Sequence, residues 1–447
     1  MKNPYQSPRD MDRRTFIKLS SLATAGVVTG CAINPVTGRR QLMLMSQAEE
    51  IALDKAHSPH QFSADYGASQ DSALNQYIAK IGTSLAALSH RPEMPYSFRT
   101  VNAVYINAYA FPGGSIALTR GIVLSLDDEA QLAALLGHEI GHVNARHTAT
   151  RMTKQILLGT ALFLGTSAIA TKNEKAAPWV AALGSIGAGA LLAHYSRDDE
   201  READALGLEY MKRVQYDPQG MVGLMDLLRS LSSYKPNALE KMFSTHPMSE
   251  ERYRTAVKAA AESDSATTGK IRNRERFMDR TANLRKLRPV IENLQNGQKE
   301  MAGEKYSAAD GILRGTVQKA SEDYTALVMT AQCQIALEKP QDALHFLERA
   351  RKAYPREALA VNLSGVSRFM QKRYEQAYND FHQYETMLPG NPGIIFMKGF
   401  TQEAMDHKSQ AASEYQRFLQ QVTSGDEADH ARQRLTEWGY LGSDQVS

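Results

Sequence analysis

Cysteine is scarce in this chain, and there is little net charge. Among 447 residues there are only two cysteines, Cys31 and Cys333, and the formal net charge is +3. So slight a positive balance gives no electrostatic reason to expect a nucleic acid as partner. Cys333 lies in an apolar helical pattern that is typical of a small core residue. The content of 43% hydrophobic and 23% charged residues indicates a globular protein, and the length predicts more than one domain.

Long hydrophobic runs are also absent. The two most apolar segments, residues 156–170 and 179–192, each span about fifteen residues, whereas a membrane-spanning helix needs roughly twenty. A polar stretch at residues 172–175 separates them, which predicts a helical hairpin. Two interpretations stay open: a hairpin that covers a functional site or touches lipid shallowly, and a plain hairpin buried in the core.

The most informative motif is the His-Glu-x-x-His stretch at residues 138–142, within a predicted helix from about Glu129 to Thr150. Residues four apart share a helix face, so His138 and His142 can hold one metal ion together. Glu139 lies one step round the helix, where its carboxylate can reach a water in an open coordination position. Such an open position is typical of catalytic zinc, since structural zinc is closed by four protein ligands.

A candidate third ligand lies downstream, in the acidic stretch Ser196–Asp204. Its carboxylates Glu200 and Asp204 are again four apart on a predicted helix. Glu200 can bind the metal, while Asp204 can accept a hydrogen bond from a ligand histidine and fix its tautomer. The other acidic residues are interpreted as a solvated helix start, favoured by the positive end of the helix dipole: Asp198, Asp199 and Glu202.

Together the two motifs resemble the zinc peptidases that include HtpX and the CAAX prenyl proteases. The segments 107–114 and 244–247, with Arg252, resemble further parts of that family, and the likeness runs from roughly residue 33 to 260. It implies a mainly α fold: a gluzincin-type zinc metallopeptidase domain with a small β-sheet and one Zn²⁺ per chain. It also implies the roles of five residues: His138, His142 and Glu200 as zinc ligands, Glu139 as catalytic base, and Asp204 as a support for a ligand histidine.

The implied reaction is peptide-bond hydrolysis, in which zinc polarises the scissile carbonyl and Glu139 takes a proton from the attacking water. The developing oxyanion needs a further donor, and the candidates are His246, Tyr195 and Arg197. His246 precedes a proline and is therefore expected in an extended or turn conformation. Three interpretations of it stay open: an oxyanion donor, an inhibitory zinc ligand that keeps the enzyme latent, and a loop histidine bonded to backbone.

A short β-prone segment, Ser115–Thr119, precedes the zinc helix. We expect it to form an edge strand to which an extended substrate adds by backbone pairing. The alternative is an ordinary core strand that follows the Pro-Gly-Gly turn at residues 112–114.

The N-terminus resembles a processing signal. Residues 12–18 resemble a twin-arginine export motif, a short apolar run follows, and residues 28–31 resemble a lipobox that ends at Cys31. This implies export to the periplasm, cleavage before Cys31 and its acylation, which would anchor the chain durably to a membrane. Ala32 after the cysteine favours the outer membrane by analogy, and a lipidated Cys31 would leave Cys333 without a disulfide partner. The alternative is an ordinary cleaved signal with an incidental cysteine.

The C-terminal part repeats with a period of thirty-four residues, which resembles tetratricopeptide repeats. Each unit has a small residue, then an alanine twelve positions later, then a large apolar residue four further on. Four units run from about Pro289 to Gly425, and a final helix, Glu427 to Trp438, caps the resulting α-solenoid. The positions are Gly297, Ala331, Gly365 and Gly399; Ala309, Ala343, Ala377 and Ala411; and Leu313, Leu347, Phe381 and Tyr415.

These features predict four parts: an export signal with lipobox (1–31), a zinc metallopeptidase domain (32–262), a linker (263–288) and a tetratricopeptide-repeat domain (289–447). The combination most resembles the periplasmic β-barrel assembly-enhancing proteases. That resemblance implies misassembled or damaged envelope and outer-membrane proteins as substrates, and the outer-membrane barrel-assembly machinery as a partner. The rival hypothesis is a scaffold or chaperone of outer-membrane protein assembly whose protease site is latent or dispensable.

Overall fold

The computed structural model describes residues 31–157, 195–234, 242, 245–263 and 271–441. The predicted export motif and most of the predicted apolar hairpin lie outside these residues. The described part is mainly helical, with a small sheet, as expected. Its strands are β1 Cys31–Ile33, β2 Arg40–Leu42, β3 Ser97–Val101, β4 Ala108–Ala110 and β5 Ser115–Thr119. No helix in this part of the chain is long and apolar enough to cross a membrane.

Ten helices precede the repeats in the described chain. They are α1 Gln47–Ala64, α2 Ser72–Ala87, α3 Arg120–Ser125, α4 Glu129–Asn144, α5 His147–Leu157, α6 Arg197–Arg213, α7 Gln219–Tyr234, α8 Glu250–Ser263, α9 Arg274–Arg280 and α10 Ala282–Lys286.

The three-stranded sheet has the order β3-β5-β4. β5 pairs with β3 in parallel and with β4 antiparallel, so both of its edges are occupied. The expectation that Ser115–Thr119 is an edge strand is therefore wrong. The sequence of a five-residue β-prone segment does not indicate how many strands pair with it. Here both partner strands, β3 and β4, come from the chain before the turn at residues 112–114. In this sheet the edges are β3 and β4, and β4 packs against α4.

The zinc helix predicted from Glu129 to Thr150 is instead two helices, α4 and α5. The side chain of Asp128 caps the start of α4 by accepting from the backbone of Gln131 at 2.9 Å. The chain leaves the helix at Ala145, and Arg146 has a left-handed φ of 59°. The Arg146 guanidinium holds this break by donating to Glu50 (2.9 Å) and to the Met45 carbonyl (2.6 Å). Every residue of α4 is buried, because helices and sheet surround it.

Small residues bring α6 unusually close to α4. A Cβ on Gly207 would lie 2.8 Å from the backbone nitrogen of His138, and one on Gly141 would lie 2.9 Å from the carbonyl of Ala203. Such distances leave room for hydrogen alone, so glycine at these positions lets the two backbones touch. This contact sets the acidic start of α6 beside the histidines of α4.

Residues of the predicted linker also fold onto the zinc helix. Arg276, on α9, bonds to the buried carboxylate of Glu129 at the first turn of α4, and Arg272 bonds to the capping Asp128 (Nε to Oδ2, 2.9 Å). The linker sequence is therefore partly helical and in contact with the peptidase part. The predicted domain boundaries themselves stay a prediction.

The repeats form antiparallel helix pairs followed by one last helix. In each pair the small residue of one helix faces the large residue of the next; a Cβ on Gly365, for example, would lie 2.7 Å from the Phe381 ring. The repeated alanines are fully buried. The predicted solenoid is thus present in the described residues. Its helices are α11 Arg288–Ala302, α12 Tyr306–Lys319, α13 Tyr324–Ala336, α14 Pro340–Ala353, α15 Leu359–Met370, α16 Tyr374–Met387, α17 Pro392–Ala404, α18 Lys408–Leu419 and α19 Asp426–Glu437.

The solenoid packs against the side of the peptidase part that carries α3 and the loop after β3. Arg120 and Asp323 form a buried ion pair, with Nη1 2.7 Å from Oδ2. Thr325 donates its hydroxyl to the carbonyl of Asn102 at 3.1 Å. These contacts are polar and specific, so the two parts meet in a defined orientation.

Candidate metal centre

Three predicted ligands, with His246, converge between α4 and α6. His138 Nε2 lies 3.0 Å from His142 Nε2 and 3.6 Å from Glu200 Oε2, and His142 Nε2 lies 3.3 Å from Glu200 Oε1. The donor atoms of all four residues lie within 4.8 Å of one another, and all four side chains are buried. The structure therefore brings Glu200 beside His138 and His142, which lie 62 and 58 positions earlier in the sequence (200 − 138 and 200 − 142).

The spacing of these donors suits zinc. Zinc–ligand distances of roughly 2.0–2.2 Å in a tetrahedron place neighbouring donor atoms about 3.3–3.5 Å apart, close to the observed 3.0–3.6 Å. Burial lowers the pKa of His142 well below its ordinary value, so its imidazole is neutral and keeps a lone pair for a metal. Glu200 stays ionised: burial opposes this, but the charges of His246 and His138 hold its pKa well below the ordinary value. Two imidazoles and one carboxylate form a donor set typical of catalytic zinc.

Glu139 lies beside the cluster without joining it. Its side chain is buried, and within the described residues Oε2 has no hydrogen-bond partner. Its other oxygen, Oε1, lies 3.9 Å from Nε2 of His246. Burial raises the pKa of this carboxyl group, although His246 and His138 oppose the rise. A buried carboxylate with one unused oxygen is placed to accept a proton from a water at the cluster.

Asp204 lies where the sequence places it, next to a ligand histidine. Its Oδ1 is 2.9 Å from His138 Nδ1, and Arg252 grips both of its oxygens at 2.7 and 2.8 Å. Nη1 of Arg252 also lies 2.7 Å from Glu200 Oε2. Burial alone would raise the pKa of Asp204, but the Arg252 charge lowers it below the ordinary value. The sequence marked Arg252 only as part of a motif; its role in joining the two acidic residues of α6 needed the structure.

The ring of His246 lies inside the cluster. Its Nδ1 is 3.0 Å from Glu200 Oε1 and 3.4 Å from His138 Nε2. Glu200 and Glu139 raise the pKa of His246 above its ordinary value although burial opposes them. The ring therefore contacts side chains of the site rather than backbone, which differs from the loop interpretation. A ring at this position can either fill a coordination position or act as a donor to a substrate oxygen.

The other two candidate oxyanion donors are placed differently. The Tyr195 ring stacks on His142 (centroids 3.8 Å apart, planes at 18°), and its hydroxyl lies 3.2 Å from the Thr148 hydroxyl. Burial raises the pKa of Tyr195 to about 12. Arg197 is exposed at the start of α6. Tyr195 thus borders the cluster, whereas Arg197 points to the surface.

A third histidine lies close to the two predicted ligand histidines. From the sequence, His147 is expected to flank the site, as a neighbour of the ligands or a surface residue rather than a ligand. Nδ1 of His147 lies 2.8 Å from Nδ1 of His142, and Nε2 of His147 lies 3.3 Å from Glu202. The helix break before His147 creates this contact. A continuous helix would place His147 on a different face from His142, so the helical pattern alone does not predict the contact. Glu202, interpreted from the sequence as solvated, is a neighbour of the site.

Two histidines and a glutamate from two helices, with a second glutamate directly after the first histidine, form the arrangement that the sequence predicts for a metallopeptidase centre of the gluzincin type. In agreement, residues 72–260 match the sequence model of Peptidase family M48.

The chain is 31% identical over 232 residues to a beta-barrel assembly-enhancing protease of Yersinia pestis, covering 51% of this chain and 47% of that protein. It is 28% identical over 252 residues to the metalloprotease YcaL of Escherichia coli, covering 54% of this chain and 95% of that one. The chain thus spans about half the length of the first of these relatives. A solved structure, a thermophilic TPR protein of Thermus thermophilus, covers 49% of this chain and 99% of its own at 13% identity, with a TM-score of 0.30.

Proposed function

We propose that this chain is a zinc-dependent endopeptidase that holds one Zn²⁺ through His138, His142 and Glu200. The observation that carries the proposal is the convergence of these three buried side chains at the spacing of zinc ligands. The glycine contacts between α4 and α6 support it further, because they fix the third ligand against the first two.

A bound zinc would supply Lewis acidity and a water whose pKa is near neutral. Glu139 would accept the proton of that water through its unpartnered oxygen and later donate it to the leaving amine. Its raised pKa suits this exchange, because a group that both takes and returns a proton works best when its pKa is near the working pH. Asp204 and Arg252 would keep His138 oriented throughout.

The edge strand β4 is the proposed binding place of an extended peptide. It lies at one edge of the described sheet and packs against α4. A small cleft lined by Ala110, Phe111, His142 and Tyr195 runs from the end of this strand to the ligand histidine. A peptide that adds to β4 by backbone pairing would therefore extend toward the zinc ligands.

The biological setting is proposed on the relatives and on the N-terminal pattern. A relative named for enhancing β-barrel assembly supports misassembled or damaged envelope and outer-membrane proteins as substrates, with the barrel-assembly machinery as a partner. The solenoid would bind clients or that partner. The periplasm is the proposed location, with lipidated Cys31 as anchor in the outer membrane. Replacement of Cys31 by serine should abolish labelling by radioactive palmitate and release the protein from membranes; retained labelling would refute the anchor.

The activity is tested by metal analysis and casein cleavage of purified protein, with Glu139→Gln beside the wild type. We expect about one zinc per chain in both and cleavage by the wild type alone, because the variant keeps the ligands and loses the base. Glu209→Gln, an exposed residue of α6, is the control and should behave as the wild type. A wild type without zinc, or a Glu139→Gln variant that cleaves at the wild-type rate, would contradict the proposal.

The rival function, a scaffold with a latent protease site, is favoured by one observation: the His246 ring lies within the ligand cluster. His246→Ala separates the interpretations. If His246 blocks the site, its removal should raise the rate of casein cleavage; if it donates to the oxyanion, the rate should fall; an unchanged rate would reject both. Full rescue of envelope function by Glu139→Gln would favour the scaffold, and loss of rescue at normal abundance would favour the peptidase.

A further inference from the structure

We propose that His147 is a positioning residue of this metal centre, which holds the ligand His142 in the tautomer that binds the ion. The proposal rests on the proposed zinc site and adds to it a second support, independent of Asp204. It follows from three contacts of two neighbouring imidazoles and needs no residue outside the described chain.

The proton assignment is forced by geometry. The two Nδ1 atoms of His142 and His147 are 2.8 Å apart, a hydrogen-bond distance, so one of them must carry a proton and the other must accept it. Nε2 of His142 is directed at His138 and Glu200 and is the atom available to a metal. A neutral imidazole that binds through Nε2 carries its proton on Nδ1. His142 therefore donates and His147 accepts.

The far side of His147 agrees with this assignment. If its Nδ1 accepts, a neutral His147 carries its own proton on Nε2, and that atom needs an acceptor. Nε2 lies 3.3 Å from a carboxylate oxygen of Glu202 and 3.7 Å from one of Asp199. Both neighbours accept hydrogen bonds only. In this series of contacts, His142 donates to His147 and His147 donates to the carboxylates. One set of proton positions therefore gives every ring nitrogen of His147 a partner and leaves Nε2 of His142 free of a proton.

The side chain of His147 is buried about as deeply as that of the proposed ligand His138. Its side chain is 4% exposed, close to the 6% of His138. It starts α5, directly after the left-handed Arg146, which is fixed by Glu50. Because the helix break is anchored by a buried ion pair, the position of His147 does not depend on the metal. The Tyr195 ring covers the face of His142 while His147 meets its edge, so two contacts define the orientation of one ligand.

The two ligand histidines then have supports of different chemistry. His138 faces an ionised carboxylate that Arg252 clamps, whereas His142 faces a neutral imidazole. The nitrogen opposite the metal in a ligand histidine is usually bonded to such a partner, and loss of the partner commonly weakens metal binding about 10–100-fold. His147 should therefore contribute to zinc affinity although it does not touch the ion.

The test compares His147→Leu, which removes the acceptor, with His147→Asn, whose side-chain oxygen can occupy about the position of Nδ1. Zinc affinity is measured by competition with a chromophoric chelator, and the metal environment by the visible absorption of the cobalt(II)-loaded protein. We expect His147→Leu to bind zinc about 10–100-fold more weakly with an altered cobalt spectrum, and His147→Asn to recover most of the affinity. His90→Leu, a partly buried histidine bonded to Tyr210, controls for general loss of packing.

Wild-type affinity and spectrum in His147→Leu would overturn the proposal, and so would equal weakening by leucine and asparagine, since that would indicate packing alone. If the leucine variant does not fold, the double variant Asp199→Ala with Glu202→Ala decides, because it removes both acceptors that face Nε2 of His147. We expect it to bind zinc more weakly than the wild type, and unchanged affinity would refute the proton assignment. A wild type that binds neither metal would instead refute the proposed function, so the two failures are distinct.

Discussion

The backbone of Gly207 packs directly on the backbone nitrogen of His138, closely enough that a Cβ on Gly207 would lie 2.8 Å from that atom. The first proposed zinc ligand, His138, and the helix that carries the third, Glu200, thus contact each other through main chain. Side chains can adjust to a new neighbour, whereas two helical backbones can only move apart. The geometry of the metal centre therefore depends on a position that bears no functional group.

Replacement of Gly207 by alanine should separate α6 from α4 and carry Glu200 away from the histidines. We expect weaker zinc binding and a fall of about 1–3 kcal/mol in the free energy of unfolding, because added volume in a packed core forces backbone shifts. Chelator competition and urea denaturation measure the two effects. The matched control is Gly311→Ala on α12, where a Cβ meets nothing within 4 Å; it should leave zinc binding unchanged and stabilise by up to about 1 kcal/mol. Equal changes in zinc binding and in the free energy of unfolding for the two variants would mean that the Gly207 contact does not set the geometry of the metal centre.

Asp204→Asn tests the support of His138. The amide cannot be the ionised acceptor that faces Nδ1, and it leaves the Arg252 guanidinium with a weaker partner. We expect zinc affinity to fall about 10–100-fold while the fold is kept, measured by chelator competition and circular dichroism. Exposed Glu209 on the same helix is the control, since Glu209→Gln removes a carboxylate that pairs only with Arg213. If Asp204→Asn binds zinc with wild-type affinity, Asp204 does not support zinc binding.

Withdrawal of the metal should destabilise the peptidase part. An ion that binds only the folded chain stabilises it by about 4 kcal/mol when its concentration is a thousand times the dissociation constant. We therefore expect a chelator to lower the melting temperature of the wild type and of Glu139→Gln. Glu200→Gln, which lacks one ligand, should show little further change on chelation. A melting temperature that is insensitive to chelator in the wild type would argue against a bound zinc ion.

Short-range patterns predicted much of this molecule. Ligand spacing on one helix face depends only on local geometry, and for that reason the sequence indicates His138 and His142 directly. The solenoid follows in the same way, because each repeat contacts its neighbours and repeats the same packing, such as Gly365 against Phe381. The acidic stretch made Glu200 a candidate ligand, and the resemblance to a family supported it. Its nearness to the histidines could not be derived locally, since no local pattern measures a distance across the 57 residues (143–199) between His142 and Glu200.

The two wrong predictions, the edge strand and the continuous helix, have a common physical cause: both features are decided by contacts with residues distant in the sequence. Ser115–Thr119 looks like any short strand, and its central place in the sheet depends on partners on both sides. No proline or glycine occurs between Val143 and Thr150 to end the predicted helix there. The break at Arg146 is held by Glu50, a residue almost a hundred positions earlier. The sequence places His147 beside the site but does not predict its contact with His142, because that contact exists only across the break.

The ion pair between Arg120 and Asp323 predicts how acid affects the packing of the solenoid on the peptidase part. Asp323 also caps α13 by accepting from the backbone of Ala326. Burial would raise the pKa of Asp323, but the charge of Arg120 and these hydrogen bonds lower it below the ordinary value. A carboxyl group with a lowered pKa in the folded state stabilises the protein above its unfolded pKa of about 3.9. That contribution is lost as the pH falls through the folded value.

Asp323→Asn keeps a capping oxygen and removes the charge. At pH 7 we expect it to lower the free energy of unfolding by about 2–4 kcal/mol, because Arg120 is left buried without its counter-charge. The difference from the wild type should stay constant down to about pH 5 and shrink below about pH 4, where Asp323 is protonated first in the unfolded chain and, at lower pH, in the folded chain as well. Urea denaturation at a series of pH values measures it, with Asp342→Asn at the half-exposed pair with Arg314 as control, expected below about 1 kcal/mol. A stabilising carboxylate loses its effect as acid protonates it, so the difference in free energy of unfolding between the wild type and Asp323→Asn should fall with pH. A difference that grows instead would mean that the ion pair of Arg120 and Asp323 does not hold the two parts together.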